Sequence, residues 1–229
     1  MQQIVVDKYT INVVHKQMKT IRLAISASTG QIRISAPFHI SEQQIRHFVE
    51  SKLAWIEKHT VAVKPLASTA RKYINGESHF LEGKEFQLSL IENSSINKVS
   101  LISDTTIEMR SVAGTTIANR ENQMYNWYRA RLEQRAKPIL ARWQNVMNVQ
   151  LNEWGIKKMK SRWGSCNTRA KRIWINTELA RKSDRLLEYL IVHELAHLLE
   201  ASHNEVFKAY MDKFIPDWRQ RRRELNGKK

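Results

Sequence analysis

The run from Ser183 to His203 constrains this chain more than any other. Leu187, Ile191, Val192, Leu195, Leu198 and Leu199, taken as a helix, cover most of its circumference. A helix apolar nearly all round has to be buried. Inside it stand His193-Glu194-Leu195-Ala196-His197, and His203 follows in the turn after. Histidines four apart lie one turn apart on one helix face, so both rings can reach one cation. Glu194, beside the first of them, can reach a water bound there. A buried charged carboxylate next to imidazoles is costly unless compensated, and a divalent cation compensates it directly. The pattern predicts a zinc hydrolase, in which imidazoles bind the metal, the metal lowers the pKa of its water, and Glu194 takes the proton as general base.

A single core histidine is more often a packed side chain than a ligand. Three in register with a glutamate, on one buried helix and its following turn, are harder to explain that way. His203 is expected as the third ligand. It lies ten residues after His193, the metzincin spacing, although Glu200 stands where that pattern has Gly. Glu200 is the runner-up ligand, and an exposed loop histidine is the alternative reading of His203. The chain must bend near Ala201-Ser202, with Ser202 expected to cap the next helix and Glu205 to complete a capping box. Cys166, the single cysteine, reads as a core residue in preference to a fourth ligand or a nucleophile, since three histidines and water complete a catalytic zinc site.

The rest divides into a β-rich N-terminal part and a helical C-terminal part. Tyr9–Val14, Thr20–Ala27 and Gln31–Ser35 read as strands, with Ser28-Thr29-Gly30 as a turn. Ser41 and Gln44 form a capping-box pattern that opens a helix of about twenty residues. Residues 63–70 read as a connector. Asn75-Gly76 signals a hairpin, followed by strands at Phe86–Ile91, Val99–Ile102 and Thr106–Arg110. Thr115 to about Asn145 is helical, and Pro138 is expected to kink or break it. Val149–Leu151, Ile156–Lys160 and Arg172–Asn176 read as strands, the last two joined by a loop that holds Ser161-Arg162-Trp163-Gly164-Ser165-Cys166. The expected fold class is α+β, a β-rich N-terminal region with one long helix over 1–114 and a helical metal-binding domain with a small sheet over 115–229.

Charge narrows the partners. A net charge of +16 favours polyanions such as nucleic acid, nucleotides or acidic protein surfaces. Ten Lys/Arg against three Asp/Glu lie between Leu151 and Arg185, although such a run is as often just a solvated face. One cysteine permits no intrachain disulfide. The first residues lack a basic segment followed by a long apolar run, and no stretch approaches the ~18 apolar residues of a membrane span. A cytoplasmic chain without membrane attachment is expected.

Taken together, Ser161-Arg-Trp-Gly-Ser-Cys166, Trp174-Ile-Asn176-Thr-Glu-Leu179, Val192-His-Glu-Leu-Ala-His-Leu198, His203-Asn-Glu-Val-Phe207 and Pro216-Asp-Trp218-Arg resemble the C-terminal blocks of the YgjP-like predicted zinc metallopeptidases, relatives of the SprT-like proteases. Lys19-Thr-Ile-Arg22, Gly30-Gln-Ile-Arg-Ile-Ser-Ala-Pro37 and Lys52-Leu-Ala-Trp55-Ile resemble the family's N-terminal part. Asn204-Glu205 and Trp218 depart from the pattern, away from the metal set. The resemblance implies a zincin-like catalytic domain with one zinc on His193, His197 and His203, Glu194 as general base, and a protein or peptide substrate. By analogy with zincins, the Ser161–Asn176 region is the candidate edge strand for substrate, with Arg162, Trp163 and Ser165 as candidate binding residues. Two rival functions remain at this stage. The metal could serve a nucleotide phosphohydrolase, although no Gly-rich phosphate loop is present, or it could be structural in a nucleic-acid-binding module.

Overall fold

Three sheets and six α-helices are found among the described residues, an α+β fold. The structure is a computed structural model describing residues 2–26, 30–61 and 71–227, with the backbone alone for 58–61. It divides into two compact units between residues 70 and 71. The expected division at 114/115 is not where the structure separates. The second β-rich stretch shares one hydrophobic core with the C-terminal helices, from Tyr73 to Leu225.

In the first unit, β1 (Gln2–Val6) and β2 (Tyr9–His15) pair antiparallel. β2 runs parallel to a strand at Ile32–Ala36 (β4), which pairs antiparallel with β3 (Arg22–Ile25) on its other side. Alternate residues Ile11, Val13, Ile32 and Ile34 are buried with Ile45, Val49 and Ile56 of the helices. The Ser41–Gln44 capping box forms as expected and opens α1 (Glu42–Glu50). The single long helix does not form, because α2 starts afresh at Leu53 and runs to Val61. Ser51 donates its hydroxyl to the Phe48 carbonyl, and Lys52 N–H bonds Val49 O in a tight turn. A serine hydroxyl that competes for backbone carbonyls in this way favours a helix end. The expected turn residues Ser28-Thr29 and the connector 63–70 lie outside the described residues.

The second unit contains a sheet of β5 (Ser78–Leu81), β6 (Lys84–Ile91), β7 (Lys98–Leu101) and β8 (Thr106–Arg110), ordered β5-β6-β8-β7. The hairpin turn is Glu82-Gly83, both at positive φ (54° and 85°), as a two-residue primed turn demands. Asn75-Gly76 instead precedes β5 and fastens to β6, through Gly76 N–H to Leu88 O and Leu90 N–H to Asn75 Oδ1. α3 (Ile117–Met147) runs unbroken through Pro138. Leu132, Ala136 and Leu140 are buried around the proline, and Arg135 bonds Asp184 and the carbonyls of Ala180 and Lys182. That packing outweighs the one backbone bond proline removes.

A small sheet follows. β9 (Glu153–Lys157) runs parallel to a strand at Arg172–Asn176 (β11), and β10 (Gly164–Asn167) pairs antiparallel with β11 at the edge. Val149–Leu151 is not a strand. A 3-10 helix, Thr177–Arg181, leads into α4 (Asp184–Ala196), with α5 (Glu205–Phe214) and α6 (Trp218–Leu225) completing the chain. Ser183 is at the N-cap position of α4 without a side-chain cap bond. No helix among the described residues is long and apolar enough to cross a membrane.

Candidate metal centre

α4 is buried on nearly every side, as its composition requires. Leu186, Leu187, Tyr189, Leu190, Ile191, Val192, Leu195 and Ala196 all belong to the core. α3 and α6 pack against it, as do α5 and β10. Its first histidine, His193, has a half-buried ring that meets the edge of His197 one turn on, with centroids 5.1 Å apart. After Ala196 the helix tightens, with Leu198 N–H bonding Leu195 O and Leu199 N–H bonding Ala196 O. Glu200 then takes the Ser202 N–H and hydroxyl on its carboxylate, at 3.0 and 2.8 Å. That bend brings His203 back with no glycine. Glu200 is thereby committed to Ser202 and is absent from the ligand cluster. Asn204, and not Ser202, caps α5, accepting the Phe207 N–H at 3.0 Å.

His193, His197 and His203 each offer a ring nitrogen within 4.8 Å of the others. The Nε2 atoms of His203 and His193 are 3.1 Å apart, close to the ~3.3 Å between ligand nitrogens of a tetrahedral zinc site. Nδ1 of His197 is 3.3 Å from the Glu200 carbonyl. A proton donated there leaves Nε2 as the free lone pair. The buried Nδ1 of His193 has no hydrogen-bond partner among the described residues. Phe207, buried, forms a common floor, with its ring 5.1, 4.8 and 4.8 Å from those of His193, His197 and His203. Burial and the neighbouring imidazoles push His193 down to about 3, and burial lowers His197 as well. Both rings are therefore neutral near pH 7, the form in which imidazole binds a metal. The donor set fits a tetrahedral divalent cation with one position left open. No fourth His, Cys, Asp or Glu joins it among the described residues.

Glu194 is 5% exposed and lies outside the ligand cluster. Its carboxylate lies against the backbone of β10. A Cβ added to Gly164 would be 2.7 Å from Oε1, 3.0 Å from Cγ and 3.1 Å from Cδ. Burial pushes the carboxyl up to about 8, and the Arg162 charge pulls the other way. Cys166, two residues beyond Gly164, is a half-buried free thiol packed on the core and pushed up to about 11 by burial and by Glu194. It is held protonated and inert, as a packing residue should be.

The three loop residues expected to meet substrate separate. Arg162 is exposed, and its charge reaches Glu194. Trp163 packs on the core and donates its indole N–H to Asn226 at 3.2 Å. Ser165 is opposite Trp174 in the ladder. Strand alternation puts it on the face away from Gly164 and Cys166. Sequence reasoning passed over Gly164 and Phe207. A glycine beside a catalytic carboxylate shows only once strand and helix are packed. Phe207 is visible in the sequence merely as one of an apolar stripe.

Residues 19–228 match a metallopeptidase domain, which makes the chain a metallohydrolase and implies a catalytic metal. That domain is the YgjP-like one, and the chain belongs to the YgjP-like metallopeptidase family. No curated protein matches the chain. Among solved structures, the metallopeptidase zymogen of Pyrococcus abyssi abylysin is 17% identical with a TM-score of 0.37, over 41% of this chain and 96% of that one. The zymogen of Methanocaldococcus jannaschii jannalysin is 22% identical with a TM-score of 0.36, over 40% and 94%.

Proposed function

We propose that this chain is a zinc-dependent peptidase acting on protein or peptide substrates, with one zinc on His193, His197 and His203. The convergence of three ring nitrogens at the end of a buried helix carries this reading. Three ligands with a fourth position open is the stoichiometry of a catalytic site, where a structural one is usually closed by four. A bound zinc ion supplies Lewis acidity, which makes water a nucleophile near neutral pH and polarises a carbonyl. Glu194 is the general base. A cation on the three imidazoles would oppose the burial that raises Glu194, and the carboxylate then takes the proton of the attacking water and passes it to the leaving amine. Gly164 keeps that carboxylate in place by leaving room for it. The outer edge of β10, unpaired among the described residues, adjoins Glu194 through the same glycine and supplies main-chain pairing for an extended peptide. Arg162 keeps its expected role toward substrate, whereas Trp163 acts as a structural link. The single free cysteine supports the cytoplasm as the compartment.

Zinc-dependent cleavage of an unstructured protein such as casein tests the reading. Activity should disappear with a chelator and return with stoichiometric zinc. Undiminished cleavage after the metal is removed would contradict it.

Gly164→Ala probes the positioning claim. The added methyl forces Glu194 or β10 to shift, and a displacement of this size costs roughly 10–100-fold in kcat/KM. Zinc content should be unchanged. A Gly164→Ala chain with wild-type kcat/KM would remove Gly164 from the account.

A further inference from the structure

β9 and β10 lie on opposite sides of β11, so the chain between them, residues 158–163, has to cross the end of that middle strand. Such a crossing carries backbone groups that no sheet ladder pairs, and they need other partners. The last residue of β11, Asn176, supplies them. It is 4% exposed. Its Nδ2 donates to the carbonyls of Met159 at 3.1 Å and Arg162 at 2.7 Å, near the two ends of the crossing. Its Oδ1 accepts the N–H of Met159 at 3.4 Å and that of Glu178 at 3.2 Å. Its backbone N–H reaches the Trp163 carbonyl at 2.8 Å. An amide suits this place because it offers two donors and two acceptor lone pairs from one short side chain. The neighbours also fix which way it points, since the reverse orientation would set the oxygen against two carbonyls.

Both sides of the contact between Gly164 and Glu194 depend on this one side chain. On the strand side, the crossing ends at Trp163, and Gly164 follows it. Gly164 pairs with Ile175 and lies against the Glu194 carboxylate. On the helix side, Glu178 belongs to the 3-10 helix that Asn176 caps, and that helix leads into α4, which carries Glu194.

We propose that Asn176 is a positioning residue of the reaction, seating the start of β10, and with it Gly164 and the strand's outer edge, against Glu194. Its effect on turnover rests on the peptidase reading above. None of its side-chain bonds among the described residues goes to Glu194 or to a metal ligand. It therefore acts through the two segments it joins. A buried amide network that is fully paired holds its parts in one arrangement, and removing its donors leaves enclosed carbonyls unpaired. An amide that merely closed a loop would affect stability and leave turnover per folded chain alone.

Asn176→Asp separates the two roles. It keeps an oxygen for the Glu178 N–H, and with it the cap, but sets lone pairs against the carbonyls of Met159 and Arg162. In the zinc-loaded full chain, turnover of a fluorogenic peptide, counted per bound zinc, should fall about 10–100-fold. The loss should lie in kcat more than in KM, with zinc content at the wild-type level. Hydrogen exchange of the backbone amides over 158–166 should quicken about tenfold or more while that of α4 stays slow. The double variant Asn176→Asp/Gly164→Ala should be little worse than the more damaged single one, because both act on one contact. Should the aspartate chain not fold, Asn176→Ser carries the comparison, since it keeps a capping oxygen without a buried charge. Wild-type kcat per zinc, unchanged exchange over 158–166, or losses that multiply in full in the double variant would each overturn the proposal. A wild-type chain that cuts no peptide would refute the peptidase reading, and exchange over 158–166 would still decide whether Asn176 seats the strand.

Discussion

Glu194→Gln is expected to keep the zinc and lose turnover by about 10²–10⁴-fold, the contribution of a positioned general base. The amide has nearly the shape of the carboxylate it replaces, so the contact with Gly164 and the packing of α4 should survive. It cannot accept the proton. Because Glu194 lies outside the ligand cluster, metal content should stay at the wild-type level. The loss should appear in kcat more than in KM, since the carboxylate acts at the chemical step. Steady-state cleavage with metal analysis of the same preparation checks both halves. Activity within a few-fold of wild type would remove Glu194 from the mechanism.

His193→Ala should have the opposite signature, a lost metal with a folded chain. His193 is the most enclosed of the three rings, packed against Tyr189, His197, His203 and Phe207. Its Nε2 lies 3.1 Å from that of His203. Removing it leaves two ligands, His197 at the end of α4 and His203 in the turn after it, and zinc affinity should fall at least about 100-fold. Thermal unfolding gives a readout independent of catalysis. Zinc binding only the folded chain stabilises it by about 4 kcal/mol at a thousandfold excess over Kd. The wild-type melting temperature should therefore rise on adding zinc, and that of the His193→Ala chain should not. A variant with the same zinc-dependent shift would place the metal elsewhere.

The metal helix was legible because two signals coincide in it. Its apolar residues surround the helix, and its only charged group beyond the first turns is flanked by histidines at helical spacing. The Ser41–Gln44 capping box was legible for the same reason, as both partners lie within one turn. What went unread depends on residues far apart in the chain. The helix after Ser41 divides at Ser51 because a side chain competes for a backbone carbonyl, which periodicity does not record. Asn75-Gly76 carries the hairpin dipeptide, yet Glu82-Gly83 makes the turn, since Asn75 and Gly76 are already bonded to β6. Pro138 neither ends nor breaks α3, held on both sides of it by buried contacts. Ser202 yields the cap of α5 to Asn204 because Glu200 has claimed its hydroxyl. Gly164 against Glu194 joins a strand to a helix thirty residues later, so only the packed chain reveals it.

Elemental analysis of the wild-type and His203→Ala chains, purified without added metal, tests the central claim most directly. His203 is the least buried ligand and the one whose place depends on the Glu200–Ser202 bend. The account predicts one zinc per wild-type chain, lost or greatly weakened in His203→Ala. A wild-type chain that holds no metal even after zinc is supplied, or a His203→Ala chain that keeps a full equivalent, would contradict it.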